Sequence, residues 1–200
     1  SAAVCHFPDV AAAVRTASAV IQSGVPIARC ELLDALAVRA VNRHSKLALR
    51  ESPLLLMEFH GSAAAAREQA EAVQAIATEL GGGGFEWATA PEERSRLWQA
   101  RHMAYFALLQ LRPGARCVTT DVCVPISRLA ECIELTREDL AASRLETAMI
   151  GHVGDGVRAH LGIVVLVEVG RDALDDLEVV RGVGVIAQVD RCRDRRGSHL

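Results

Sequence analysis

The densest group of potentially reactive residues is Gly151-His-Val-Gly-Asp-Gly156, which follows a predicted strand. Three glycines in six residues allow the backbone to approach a ligand closely or to turn sharply. The imidazole of His152 near the carboxyl group of Asp155 suits proton transfer or a metal ion. The same segment also predicts a hairpin turn at Asp155-Gly156, and the two interpretations are compatible. His160 follows at a spacing that could place a second nitrogen on the same metal ion.

A second candidate is Arg101, which interrupts the apolar side of a predicted helix. Helical spacing places it on one stripe with Leu97, Trp98, Tyr105 and Leu108. A guanidinium in this position either extends to the edge of the apolar face or binds a carboxylate with two parallel hydrogen bonds. The pattern alone leaves both alternatives open.

Two predicted strands are expected to position these residues. Residues 54–60 alternate so that the side chains of Leu55, Met57 and Phe59 share one face, whereas Glu58 and His60 lie on the other. Residues 117–124 alternate in the same way. We therefore expect a sheet whose second face meets either solvent or a ligand.

Hydrophobic periodicity predicts strands and helices in mixed order along the chain. The predicted strands are residues 2–7, 54–60, 85–88, 117–124, 147–153 and 161–167. The predicted helices are residues 10–23, 31–43, 66–80, 91–110 and 127–142, the fourth with a capping box from Thr89 to Glu92. This mixture predicts an α+β fold of one or two ferredoxin-like units, with a sheet covered by helices on one face.

Composition limits the class of partner. Half of the 200 residues are hydrophobic, and 22 Lys and Arg stand against 25 Asp and Glu, giving a net charge of −3. This balance gives no reason to expect a nucleic acid as partner. No apolar run reaches the roughly 18 residues of a membrane span. Because the chain starts with an apolar strand and not with Met or a signal peptide, we expect it to come from a longer protein.

Six segments carry a family resemblance. They are, in order, Phe7–Val10, Pro26–Asp34, Leu56–Gly61, Leu97–His102, Thr120–Leu129 and Gly151–Gly156. Together they resemble the C-terminal cap domain of FAD-linked D-2-hydroxyacid oxidoreductases, and within that family the cytochrome-linked D-lactate dehydrogenases of mitochondria. The resemblance assigns residues 1–168 to an incomplete cap domain. Residues 169–200 lose periodicity and are predicted to be a divergent, poorly packed tail.

The resemblance also implies a chemistry. The cap would close over the flavin of a preceding FAD-binding domain, which this chain would lack. Arg101 would bind the carboxylate of a small 2-hydroxyacid, and His152 would be the catalytic residue and a ligand of a divalent metal ion, Zn or Mn, with His160 as a second ligand. The hydroxyl proton would leave with the help of the metal, and hydride would pass from C2 to FAD. D-Lactate would become pyruvate, and cytochrome c would accept the electrons in the mitochondrion.

The chain departs from the family pattern in two places. His160 lies one residue later than the family's second metal ligand, and a shift of one residue in a strand reverses the face. The family's later Gly-Glu-His-Gly segment has no counterpart in residues 169–200. We therefore expect the isolated chain to be inactive. The alternatives are a non-catalytic ferredoxin-like module that binds a ligand or a protein, and an inactive truncated product.

Overall fold

A computed structural model of the chain describes residues 1–143, 146–154 and 158–167. Its strands are β1 (Ala2–His6), β2 (Ile27–Leu33), β3 (Leu54–Phe59), β4 (Gly83–Ala88), β5 (Arg116–Pro125), β6 (Glu146–His152) and β7 (Arg158–Val167). Its helices are α1 (Val10–Gln22), α2 (Ala35–Ser45), α3 (Ala63–Glu79), α4 (Pro91–His102), α5 (Ala104–Leu111) and α6 (Leu129–Ser143). The predicted tail lies outside the described residues.

The described strands form one antiparallel sheet in the order β4-β1-β3-β2-β6-β7-β5. The first four strands with α1 and α3 make a ferredoxin-like unit, into which α2 is inserted. A second unit repeats most of this arrangement, since β7 lies between β5 and β6 as β3 lies between β1 and β2. The two units join where β2 pairs with β6. The predicted α+β fold class is confirmed.

One face of the sheet carries the larger core. It packs against α1, α3 and α6, whose apolar residues follow helical spacing. Leu55, Met57 and Phe59 of β3 are all at most 1% exposed on this side. The alternation of β3 thus orients its side chains as predicted.

The other face is covered by a second, smaller group of helices, α2, α4 and α5. Val38 and Val41 of α2, Trp98 of α4 and Leu108 of α5 are buried there. The expectation of helices on one face is therefore incomplete, because these helices also present apolar faces to the sheet. His60, Arg29 and His152, at the ends of the central strands, are exposed. The second face is thus part core and part open.

Two predicted element boundaries differ from the structure. Residues 31–33 belong to β2 and not to a helix, because β2 pairs with β3 on one side and β6 on the other. The predicted helix over 91–110 is interrupted at Met103, which separates α4 from α5. The capping box does not form either, since Ala90 is the N-cap of α4 and no side chain caps it. No helix in the described ranges has the length and apolar character to cross a membrane.

Candidate functional site

Backbone pairing between β2 and β6 places Glu31 opposite His152. Directly paired residues of an antiparallel sheet project from the same face, which here is the face that α4 covers. Arg101 lies in the last turn of α4 and contacts Glu31. The structure therefore brings together Arg101 and His152, two of the three residues predicted from the sequence, through one carboxylate. We call Arg101, Glu31 and His152 the polar triad.

Arg101 makes a two-point contact with Glu31. Its Nε donates to Glu31 Oε2 at 3.2 Å, and its Nη2 donates to the same oxygen at 2.8 Å. The two side chains are 13% and 10% exposed, so the ion pair is nearly buried. These bonds use one edge of the guanidinium. Among the described residues, none forms a hydrogen bond or ion pair with the outer edge, which includes Nη1, and this edge is available to a second carboxylate.

His152 contacts the other oxygen of Glu31. Its Nδ1 lies 2.7 Å from Glu31 Oε1. Because an ionised carboxylate only accepts hydrogen bonds, Nδ1 is assigned the proton in this contact. In the neutral ring Nε2 then carries a lone pair, which suits a proton acceptor or a metal ligand. The side chain is 55% exposed.

The electrostatics of the triad depend on its burial. Glu31 is 8% exposed, and a carboxylate at such a position is costly unless it is paired and hydrogen-bonded. Arg101 supplies the opposite charge. Its two N–H groups donate to Oε2, and the Nδ1–H of His152 donates to Oε1. Removing either partner leaves part of this charge unsatisfied. The triad is therefore a coupled unit.

A second polar cluster flanks the triad on the same face. Arg29 lies two residues before Glu31 on β2, with its guanidinium carbon 5.4 Å from the centre of the Trp98 ring. Glu58 of β3 lies 3.7 Å from Arg29 Nε and 3.0 Å from His60 Nε2. Trp98 precedes Arg101 by one helical turn, so the same stretch of α4 supports both arginines. Charged side chains of β2 and β3 therefore lie beside the triad, on the part of this face that the helices do not cover.

The glycine-rich segment begins with a close backbone approach. Val153 N donates to Cys30 O at 2.8 Å, which extends the pairing of β2 and β6 beyond His152. A Cβ atom added at Gly154 would overlap the backbone nitrogen of Cys30 and lie 2.8 Å from its Cβ. Only glycine fits here without displacing β2. The thiol of Cys30 faces the opposite core, and burial, with the nearby charge of Glu31, raises its pKa, so it is not a thiolate nucleophile.

His160 is paired directly with His152 by the register of β6 and β7. Its side chain lies outside what the structure describes, as does the predicted turn at Asp155-Gly156. Although His160 lies one residue later than the family's second metal ligand, its backbone still pairs with that of His152. The predicted metal pair of His152 and His160 is not tested by this register.

A metal ion fits the described part of the site only in part. His152 has the arrangement of a metal-ligating histidine, with one ring nitrogen bound to a carboxylate and the other unprotonated. Among the described residues, however, no group of three or more His, Cys, Asp or Glu side chains could hold a metal ion. A complete metal site thus needs donors outside them.

Glu31 is the site residue that the sequence did not reveal. It lies within the segment Pro26–Asp34, and the hydrophobic spacing predicts a helix at this position. Its pairing with His152 joins residues 121 positions apart. Two features of the sequence point to a special role for Glu31. It is the acidic residue within an otherwise apolar run, Cys30 to Leu33, and this run ends at Asp34, which can cap a helix.

The family model described as FAD linked oxidases, C-terminal domain, matches residues 1–177 of the chain. The chain belongs to this family. Its curated relatives include the probable mitochondrial D-lactate dehydrogenase of Danio rerio, 47% identical over 154 residues, which are 77% of this chain and 31% of that protein. The cytochrome D-lactate dehydrogenase of Arabidopsis thaliana mitochondria is 43% identical over 77% of this chain and 27% of its own length. This member of the family thus spans about a third of the length of the curated relatives it matches.

Solved structures support the same fold for the family domain. An alkyldihydroxyacetonephosphate synthase matches 94% of this chain and 40% of its own, with a TM-score of 0.63 and 11% identity. The 4-ethylphenol oxidase of Gulosibacter chungangensis matches 82% of this chain and 39% of its own, with a TM-score of 0.62 and 12% identity. At such low identity these similarities concern the fold alone.

Proposed function

We propose that this chain is the substrate-binding portion of an FAD-dependent D-2-hydroxyacid dehydrogenase that oxidises D-lactate to pyruvate. The observation that carries the proposal is the polar triad, which places a guanidinium and an imidazole on one carboxylate in a domain of the FAD-linked oxidase family. Relatives named D-lactate dehydrogenase support the choice of substrate. Residues 1–168 form the cap domain in this proposal, and residues 169–200 a divergent tail.

Arg101 binds the substrate carboxylate. Its inner edge is held by Glu31, so its outer edge is presented in a fixed orientation. A carboxylate can receive two parallel hydrogen bonds from that edge, which a lysine ammonium cannot supply. This contact selects acids and orients the C2 carbon of the substrate.

His152 acts on the 2-hydroxyl group. With its proton on Nδ1, the ring presents the Nε2 lone pair, which can take the hydroxyl proton as C2 is oxidised. Alternatively, the same lone pair, with His160 and donors outside the described residues, would hold a divalent metal ion, Zn or Mn, that would acidify the hydroxyl group, and the hydroxyl proton would then leave to water.

FAD supplies the electron acceptor for the hydride that leaves C2. No described residue is assigned to FAD, which would be bound mainly by a domain outside these residues. These residues alone are therefore expected to be inactive. Names of relatives support a mitochondrial location, and the word cytochrome in one of them suggests cytochrome c as the acceptor that reoxidises the flavin.

The test uses a protein that carries this chain together with a flavin-binding domain. Anaerobic mixing with D-lactate is expected to bleach the flavin absorbance, whereas propionate, which lacks the hydroxyl group, leaves it unchanged. L-Lactate is expected to react much more slowly. If none of these acids reduces the flavin, the chain is not part of a lactate dehydrogenase, and a ferredoxin-like binding module becomes the better description.

A further inference from the structure

Glu31 has no part in the reaction described above, yet both residues assigned to the substrate contact it. It lies near the middle of the sheet, on β2 between β3 and β6, and its side chain is 10% exposed. An ionised group at such a position has a high desolvation cost. Packing alone does not explain why position 31 is a glutamate. A role that only a carboxylate can perform does explain it.

The carboxylate matches its neighbours because it offers acceptors only. Arg101 donates twice to Oε2, and His152 approaches Oε1 through Nδ1. A glutamine would have one acceptor oxygen and one donor NH₂ group, so it could accept hydrogen bonds from only one of the two neighbours. Arg101 would compete more strongly for the amide oxygen because its hydrogen bonds are charge-assisted and two in number. The amide NH₂ would then face His152 Nδ1, which would have to accept.

We propose that Glu31 is a positioning residue, which fixes the Nδ1–H tautomer of His152 and holds the guanidinium of Arg101 beside it. The proposal rests on the proposed function, in which Nε2 of His152 faces the substrate hydroxyl and Arg101 binds its carboxylate. In a 2-hydroxyacid these two groups are on adjacent carbons. Because the Glu31 carboxylate binds both the guanidinium of Arg101 and the imidazole of His152, it sets the distance between them directly, with no flexible segment in between.

The direct test is the tautomer of His152 in the 200-residue chain. Long-range proton–nitrogen NMR spectra of the chain with ¹⁵N-labelled histidine distinguish the protonated from the unprotonated ring nitrogen. At a pH of about 8 an ordinary imidazole is neutral, and the His152→Ala variant identifies the signals. We expect the proton on Nδ1. A proton on Nε2 in the unchanged chain overturns the proposal, and this result needs no variant at Glu31 to fold.

Two variants extend the test. Glu31→Gln is expected to move the proton of His152 from Nδ1 to Nε2. Glu58→Gln is the matched control, since Glu58 is a carboxylate on the same face that pairs with Arg29 and His60 and not with the triad. It is expected to leave the His152 tautomer unchanged. An unaltered tautomer in a folded Glu31→Gln variant contradicts the proposal.

Kinetics of the flavin-containing protein separate this proposal from the one on which it rests. Glu31→Gln is expected to lower kcat on D-lactate by about 100-fold, because Nε2 no longer presents a lone pair. KM is expected to change little, since the amide oxygen still holds Arg101. The positioning role is overturned if kcat falls only in proportion to the amount of folded protein. It is also overturned if kcat and the affinity for D-lactate fall equally. If the unchanged protein fails to oxidise D-lactate, the proposed function fails while the tautomer result stands.

Discussion

A single hydrogen bond to Glu31 decides which ring nitrogen His152 presents to solvent. The distance of 2.7 Å from Nδ1 to Oε1 and the half-exposed ring leave Nε2 as the reactive atom. Arg101 is held by the same carboxylate through its inner edge. The chemistry of the site therefore depends on three side chains acting together, and substitutions within the triad are expected to be non-additive.

The first prediction at this scale concerns the metal ion. If Nε2 of His152 is a ligand, Mn²⁺ or Zn²⁺ raises the thermal midpoint of the chain, with a gain of about 2.7 kcal/mol at hundredfold excess over Kd. His152→Ala is expected to abolish the rise. His44→Ala is the control, because His44 is a partly exposed histidine of α2 that contacts Gln110. A rise that persists in His152→Ala places the metal elsewhere, and no rise in the unchanged chain means that this chain alone does not complete a metal site.

The second prediction concerns Gly154, where a methyl group would overlap the backbone of Cys30. Gly154→Ala is expected to lower the free energy of unfolding by about 1–3 kcal/mol, as overpacking does elsewhere. Gly83→Ala is the matched control, since a Cβ there meets nothing within 4 Å. Urea denaturation measures both. Equal stability of the two variants would show that β2 and the end of β6 are not in close contact.

Arg101 and His152 can be predicted as site residues from the sequence, but their shared contact with Glu31 cannot. Arg101 is predictable because a charge interrupts an apolar helical stripe, and His152 because glycines surround it. Glu31 is not predictable from the sequence, because its role depends on the pairing of β2 with β6. No local pattern specifies pairing between strands more than a hundred residues apart. The side chain of His160 lies outside what the structure describes.

At the scale of elements, Asp34 links the end of β2 to α2 and to β6. Its Oδ1 accepts from Ala37 N at 2.9 Å as the N-cap of α2, and its Oδ2 accepts from Met149 N at 2.8 Å. Burial raises the pKa of Asp34 to about 6 from 3.8, with these backbone N–H groups only partly opposing the shift. This residue explains why the strand stops and the helix begins where the sequence analysis predicted one continuous helix.

A third prediction follows from that raised pKa. The folded state holds the Asp34 proton more tightly than the unfolded state, so this group's stabilisation is complete below about pH 4 and is lost as the pH rises through about 6. The free energy of unfolding is expected to fall by up to about 3 kcal/mol over this interval, relative to Asp34→Asn. Asp9→Asn, at the exposed N-cap of α1, is the control. A difference between wild type and Asp34→Asn that does not vary with pH contradicts the prediction.

Other elements were predicted with unequal success. The strands at residues 54–60, 117–124 and 147–153 are confirmed, because their alternation or apolar runs match burial in the sheet. The break at Met103 was missed, since neither Gly nor Pro marks it. The second helix layer was missed because apolar periodicity shows that a helix packs against something, but not on which face of the sheet.

At the scale of the whole molecule, the polar triad lies where two similar units meet. Each unit places its second strand at the junction, and the pairing of β2 with β6 brings Glu31 and His152 together. Arg101 reaches them from α4, which lies in the connection between the two units. A site built from three separate parts of the chain forms only in the folded domain, and in the proposed function it also needs a flavin from outside the described residues.

Anaerobic flavin reduction by the flavin-containing protein, measured at increasing D-lactate concentrations, shows whether Arg101 binds the substrate carboxylate. Arg101→Lys is expected to raise the apparent Kd for D-lactate by about tenfold or more, because an ammonium cannot replace the two-point contact. Arg39→Lys is the control, since Arg39 forms an exposed ion pair with Glu51 at 2.9 Å. An Arg101→Lys protein that reduces its flavin with unchanged affinity for D-lactate would contradict the assignment of this site to the substrate carboxylate.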